Sequence, residues 1–322
     1  MNSALAATIG LILSIILIIK KVSPVYSLIL GALTGGLLAG WGLENTVTEM
    51  ISGIKDITPA IIRILAAGVL TGMLVKTGAA SSISQAIIKK LGAKQIYLAL
   101  ALSAMLLTAI GVFIDVAVIT IAPIALIAGS QLKLSRAKLL IAMIGGGKCG
   151  NIISPNPNSI IAAENFNAPL PSVMAANIIP AIIGLLFTIY IIVPLLPKGT
   201  ILQPTEQIED NMRLPSLRSS VIAPIVTIAL LTLRPLFGII IDPLVALSAG
   251  GIIGIVATRN WHKTNDCLSY GLGKMSTIAI LLIGTGALAG VIKASTIKDI
   301  LINLLAGWSN GGIIMAPLSG TL

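Results

Sequence analysis

The fold is decided by the stretch GGGKCGNIISPNPNS at residues 145–159, which interrupts an apolar segment running from about residue 139 to 163. Pro155 and Pro157 remove two backbone donors and push the residues before them out of helical geometry. The glycines that precede them, including Gly150, are expected to loosen the helix. The stretch therefore predicts a broken helix, with Gly150, Pro155 and Pro157 as its structural breakers.

The composition excludes a soluble globular domain. Of the 322 residues, 56% are hydrophobic and 10% are charged, whereas soluble domains carry about 25% charged residues. Apolar runs near the length of about 20 residues that a bilayer core requires recur along the chain. They lie at about residues 3–19, 24–41, 60–75, 96–129, 139–163, 173–196, 221–238, 243–257 and 277–292, with a last stretch from residue 300. We therefore predict an all-α polytopic membrane protein.

The basic residues predict its orientation. The formal net charge is +10, and most of the 21 Lys and Arg residues fall in alternate loops, which the positive-inside rule assigns to the cytoplasm. These loops lie at about residues 20–21, 76–94, 133–138, 197–220 and 259–274. The N-terminus is then outside, the expected location is the inner (cytoplasmic) membrane, and the charge excess calls for no nucleic-acid partner. Arg63 and Arg234 lie near span ends, where both are expected to snorkel to the interface.

The segment at residues 96–129 is the exception to this alternation. It is long enough for two short arms, yet basic residues flank both ends, at Lys94 and at residues 133–138. This predicts a re-entrant hairpin that enters from the cytoplasm and returns there, with its tip near residues 111–115. Asp115 at the tip is the only acid within a predicted span. It is the candidate for proton or cation coupling, and the alternative is a structural cap.

Two groups of residues recur at nearly the same offset, which predicts an internal repeat. Pro24, Leu28, Gly31 and Gly35 return 219 residues later as Pro243, Leu247, Gly250 and Gly254, and Gly68 and Gly72 return 218 residues later as Gly286 and Gly290. The first repeat, residues 1–196, would make five crossings, and residues 197–220 would form a cytoplasmic linker. An odd number of crossings inverts the second repeat, residues 221–322, an arrangement typical of transporters. That repeat is incomplete, so we expect a truncated chain.

Polar residues at the break are the candidate substrate ligands, together with backbone carbonyls and the positive end of the following half-helix. They are Lys148, Asn151, Ser154, Asn156, Asn158 and Ser159. Lys148 would face a carboxylate or, equally, snorkel to the cytoplasmic face. The alternative for the whole stretch is an ordinary periplasmic loop between two short helices.

Enzyme chemistry is not indicated by the sequence. The single histidine, His262, lies in a predicted cytoplasmic loop, and no His, Cys and carboxylate cluster has metal-ligand spacing, so neither a metal nor a cofactor is expected. Asp115 lacks the second intramembrane carboxylate that an aspartyl protease requires. Cys149 and Cys267 are expected to be free thiols.

Residues 113–116, Phe-Ile-Asp-Val, followed by Ile-Ala-Pro at 121–123, resemble a segment of the gluconate permease family. Its members are proton-coupled sugar-acid symporters of the ion transporter superfamily. Gly-Ala-Ala at 78–80 is similar to another stretch of that family, and Pro155 and Pro157 match its proline-rich broken helix. The resemblance implies secondary active transport of a small organic anion with protons.

The sequence departs from that family at the broken helix. Asn156 stands where the family commonly has histidine, and Asn158-Ser159 replaces Gly-Pro. Glycerate or D-serine is therefore as compatible as gluconate. A cation/proton antiporter of the same superfamily and a non-transporting, truncated membrane fragment stay open as alternatives. The expected partners are the substrate anion, protons and the lipid bilayer, and a homodimer is compatible with the sequence.

Overall fold

The computed structural model describes residues 2–197, 199, 214–297 and 299–300, and within them every regular element is a helix. The α-helices are α1 (Ser3–Ile19), α2 (Pro24–Leu38), α3 (Gly42–Lys76), α4 (Ala79–Leu91), α5 (Ile96–Ala109), α6 (Ile114–Gln131), α7 (Arg136–Ile152), α8 (Pro157–Asn165), α9 (Leu170–Ala176), α10 (Ile178–Phe187), α11 (Val193–Leu195), α12 (Leu217–Phe237), α13 (Pro243–Ala257) and α14 (Thr264–Ala294). A π-helix (Thr188–Ile192) links α10 to α11, and 3₁₀ turns (Ala93–Gln95 and Trp261–Lys263) precede α5 and α14.

Several of these helices are long and apolar enough to cross a bilayer, which makes the chain a multi-pass membrane protein. Four segments meet the requirement: Gly42–Lys76, Ile114–Gln131, Leu170–Leu195 and Trp261–Ala294. Helices α4 and α5 meet it together but are bent by 108° at their junction. Shorter apolar helices lie at Ser3–Ile19, Pro24–Leu38, Leu217–Leu233 and Pro243–Ala257.

Three segments expected to be loops are helical instead. Residues 44–56 form the start of α3, residues 79–91 form α4, and Lys274 lies well inside α14. Hydropathy falls in these segments because they carry charges, but charged and polar side chains on an exposed face do not stop a helix. In α4, Ala79, Ala80 and Ile83 are buried while the two lysines occupy the last turn. Most of the predicted linker at 197–220 lies outside the described residues, as do residues 301–322.

The chain divides into two compact units, one of which joins residues up to Ile61 with those from Thr277 onward. In this unit α1 packs closely on α2, because a Cβ on Gly10 would overlap the carbonyl of Gly31. The first half of α3 packs equally closely on the last half of α14, at Gly53 and Gly286. Small residues that allow backbone contact are the usual means of helix association in membranes.

The second unit, Ile62–Ser276, contains both interruptions that the sequence predicts. Its α7 continues as a helix through the glycines that were expected to loosen it. A Cβ on Gly146 would overlap the carbonyl of Ala101, and one on Gly150 would overlap the carbonyl of Met105. The glycines thus bring α7 against α5, and Gly150 is a packing residue that lies three residues before the break.

Candidate functional site

The break in the predicted broken helix falls between α7 and α8. Helix α7 ends at Ile152 and α8 begins at Pro157, a first-turn position where the missing proline donor costs nothing. The intervening backbone is enclosed by protein, with Ser154 at 0% and Asn156 at 4% exposure. Non-helical backbone at membrane depth requires this enclosure.

Asn156 connects the two sides of the break. Its Oδ1 accepts hydrogen bonds from the backbone N–H groups of Asn158 (2.7 Å) and Ser159 (3.2 Å), which caps α8. Its Nδ2 donates to Ser154 Oγ at 2.7 Å and to the carbonyl oxygen of Asn151. Both polar atoms of the Asn156 side chain are therefore engaged within the break, and they hold its shape.

The predicted hairpin tip lies beside this break. Helices α5 and α6 are joined by residues 110–113, and Gly111 adopts a φ of 100°, which a residue with a Cβ rarely adopts. Its carbonyl accepts a hydrogen bond from Thr71 Oγ1 of α3 at 3.0 Å. A Cβ on Gly111 would lie 3.9 Å from Pro155 Cγ. The two interruptions therefore meet within one unit of the molecule.

The remaining predicted ligands surround the break with different exposures. Ser159 is buried, Asn151 is half-buried, and Asn158 and Lys148 are exposed. Among the described residues Lys148 forms no ion pair. The structure thus gathers the Asn and Ser groups at the break and leaves Lys148 on the outer face of α7.

Asp115 lies in the first turn of α6 and is paired with a lysine that sequence reasoning missed. Lys274 Nζ lies 3.4 Å from Asp115 Oδ2, and the two side chains are 36% and 58% exposed. Lys274 had been assigned to a cytoplasmic loop, whereas it lies in α14 ten residues after Thr264. The apolar run that begins at Thr277 was the only sequence signal of this helix, and it starts too late to include the lysine.

Arg63 is a second case in which tertiary contacts replace an expected snorkelling arginine. Its Nη2 donates to Asp242 Oδ2 at 2.6 Å, its Nε lies 3.1 and 3.2 Å from the two oxygens of Asp242, and its Nη1 contacts Glu164. The hydrogen bonds from Arg63 lower the pKa of Asp242, opposed by partial burial and aided by the N–H of Leu244. The side chain of Arg234 lies outside what the structure describes.

Two neighbouring cavities extend from this cluster towards the break. The first, of about 140 Å³, is lined by Arg63, Glu164 and Asp242. The second, of about 270 Å³, is largely apolar and reaches Ala109 at the end of α5 and Ile153 at the break. Pro171 and Leu231 line both cavities. A common wall therefore connects the arginine cluster with the interruptions.

These features define a multi-pass membrane transporter, and comparison with known proteins identifies its family. The model of the GntP family permeases matches residues 3–244, three quarters of the chain. A Haemophilus influenzae protein described as an uncharacterized transporter is 51% identical over 99% of this chain and 77% of its own length. The chain belongs to the GntP permease family, whose members are permeases and not enzymes.

More distant relatives carry substrate names. A high-affinity gluconate transporter of Escherichia coli K12 is 26% identical over 67% of this chain and 50% of its own length. A D-serine transporter of Escherichia coli O6:H1 is 22% identical over 96% of this chain and 76% of its own length. The model of a Na⁺-H⁺ antiporter family also matches residues 219–308.

Proposed function

We propose that the protein is a secondary active transporter of the cytoplasmic membrane that imports a small hydroxylated carboxylate together with protons. The named relatives transport gluconate and D-serine. Both molecules carry a carboxylate and at least one hydroxyl group, so this chemistry is what their transporters have in common. A gluconate-like sugar acid or glycerate fits the same description.

The observation that carries this proposal is the buried meeting of two helix interruptions, at residues 110–113 and 153–156. Each interruption exposes backbone polar groups that a continuous helix would use internally. In transporters, such groups and the adjoining helix ends bind substrate and coupling ions near the midplane. The apolar cavity that reaches Ala109 and Ile153 supplies room for a small ligand next to them.

The proposed roles follow from the side-chain geometry. Asp115 would take up the transported proton, since it is an acid beside the hairpin tip. Asn156 would hold the break in shape, because its polar atoms are already engaged. The other polar groups would contact substrate or cation: Lys148, Asn151, Ser154, Asn158 and Ser159.

Helix order supports the proposed duplication of residues 1–196 in residues 221–322. Helices α1, α2 and α3 have 17, 15 and 35 residues, and α12, α13 and α14 have 21, 15 and 31. Glycine contacts show the same relation. A Cβ on Gly53 would overlap the Gly286 carbonyl, and one on Gly271 would overlap the Gly68 carbonyl. An offset of 218 residues converts the first pair into the second, as expected for two related copies.

The ion pairs support the proposed orientation, with the N-terminus outside and a re-entrant α5–α6 hairpin entering from the cytoplasm. In that topology Arg63, Glu164 and Asp242 all lie near outer helix ends, and the structure brings the three together. Asp56 and Lys293, both predicted outside, also pair at 2.7 Å. Residues on opposite faces of a membrane could not make either contact.

Uptake in liposomes tests this function. Labelled gluconate, glycerate and D-serine are offered to the reconstituted protein with an inward proton gradient. We expect saturable accumulation of at least one of them, lost when the gradient is collapsed. Asp115→Asn should abolish gradient-driven accumulation while leaving exchange of labelled for unlabelled substrate. The matched control is Asp56→Asn, which removes an exposed acid from another ion pair. Unchanged accumulation by Asp115→Asn contradicts the coupling assignment.

A second candidate, a cation/proton antiporter, is favoured by the antiporter-family match at residues 219–308. Proton efflux driven by added sodium, with no organic acid present, distinguishes it from the symporter. If the folded chain supports neither flux, it is a non-transporting membrane fragment. The mass of the purified protein in detergent tests the homodimer.

A further inference from the structure

The position of Lys274 places an ammonium deep in the proposed membrane region. It lies ten residues after the start of α14, which corresponds to about 15 Å along a helix, half of a bilayer core of about 30 Å. Asp115, its partner, begins α6, a helix apolar enough to span. Charges at such depth face protein or a watery cavity, because contact with lipid tails is unfavourable. The exposed surface of this pair is therefore a polar compartment.

The surroundings of the pair are more basic than acidic. Lys274 and Lys76 lie 5.9 and 4.8 Å from the centroid of the Tyr270 ring. The other helices packed on α6 are α4, α5 and α7. Their titratable groups are Lys89 and Lys90 on α4, Tyr97 on α5, and Arg136, Lys138, Lys148 and Cys149 on α7. Within the described chain, Lys274 is the cation that contacts Asp115.

Charge balance decides what this pair can do in a carboxylate symporter. With Asp115 ionised, the pair is neutral and Lys274 is occupied. When Asp115 binds a proton, Lys274 is released with a net charge of +1, which a substrate carboxylate restores to zero. Substrate without the proton would leave a net charge of −1. Both unbalanced states are unfavourable away from water, so proton and carboxylate enter together.

We propose that Lys274 binds the substrate carboxylate and exchanges it for Asp115 in each transport cycle, a specificity role that rests on the proposed function. Its contact with Asp115 suits exchange, because a single interaction at 3.4 Å is longer than a strong charge-assisted hydrogen bond. An ammonium also donates in three directions on a flexible stem, so it can turn from one carboxylate to another.

Binding measurements test this exchange without requiring transport. Dissociation constants for gluconate, glycerate and D-serine are measured by calorimetry on the purified chain between pH 5.5 and pH 8. For the wild type, Kd should rise about tenfold per pH unit where Asp115 is ionised, because one proton binds with each substrate. Asp115→Asn should bind with the low-pH Kd at every pH. Lys274→Gln should weaken binding by at least about 30-fold, as loss of one partner of a charge pair does.

Two further variants separate charge from folding. Lys274→Arg keeps the positive charge and should bind more weakly than the wild type with the same pH slope. Lys293→Gln removes an ammonium from the ion pair with Asp56 and should change neither Kd nor slope. Unchanged Kd in Lys274→Gln, or an unchanged slope in Asp115→Asn, overturns this inference and leaves the proposed function standing. If the wild type binds none of the three carboxylates, the proposed function falls and the inference with it.

Discussion

The Arg63 cluster and the Asp115–Lys274 pair are both intramolecular ion pairs of the second unit, yet they are built differently. Arg63 contacts two carboxylates from two other elements, is 22% exposed and reaches Asp242 at 2.6 Å. Lys274 makes one longer contact of 3.4 Å and is 36% exposed. A guanidinium fork with several acceptors is geometrically fixed, whereas a single ammonium contact is easily exchanged. The comparison separates a structural tie from a group available to a ligand.

Removing the arginine should have the largest effect on stability. Arg63→Gln leaves the carboxylates of Glu164 and Asp242 without their cation, and we expect a loss of about 2 kcal/mol in unfolding free energy. This lies below the value for fully buried pairs because these side chains are partly exposed. Unfolding by sodium dodecyl sulfate, followed by tryptophan fluorescence, measures it. Arg63→Lys should lose less, and a change below about 0.5 kcal/mol in Arg63→Gln would place the cluster with ordinary surface pairs.

Acid should weaken the Arg63 cluster by a smaller amount. The lowered pKa of Asp242 means that the folded state favours its ionised form over the reference value of 3.8. Its contribution to stability is therefore complete above pH 3.8 and is lost as pH falls through the lower folded value. Thermal unfolding at pH 5 and below measures this loss, and Asp242→Asn should remove that part of the pH dependence. Identical pH profiles for the two proteins would show that the pairing adds no stability.

The smallest effect is expected for the pair in the other unit. Lys293 Nζ and Asp56 Oδ2 are only 2.7 Å apart, but their side chains are 67% and 55% exposed. Exposed pairs contribute about 0 to 1 kcal/mol, so Lys293→Gln should change the detergent midpoint by less than Arg63→Gln does. A larger change in Lys293→Gln would show that contact distance, and not the number of acceptors and burial, ranks these pairs.

Local chemistry explains which parts of the structure could be predicted from the sequence. The helix ends at Ile19 and Ala257 match the expected bounds because Lys20 and Thr258 end the apolar runs there. The breaks at residues 110–113 and 153–156 were predicted because glycine and proline act on their own backbone. The long starts of α3 and α14 were missed, since a hydropathy run marks the apolar part of a helix and not its ends.

The sequence by itself determined that this is a helical membrane protein of the GntP permease type, with two helix interruptions and an acid at one of them. Apolar run lengths, backbone-breaking residues and short motifs are properties of adjacent residues. Only the tertiary structure decided that Arg63 meets Asp242 across 179 positions and that Asp115 meets Lys274 across 159. The partner of a charge is chosen by the packing of distant helices, and spacing along one chain contains no measure of that packing.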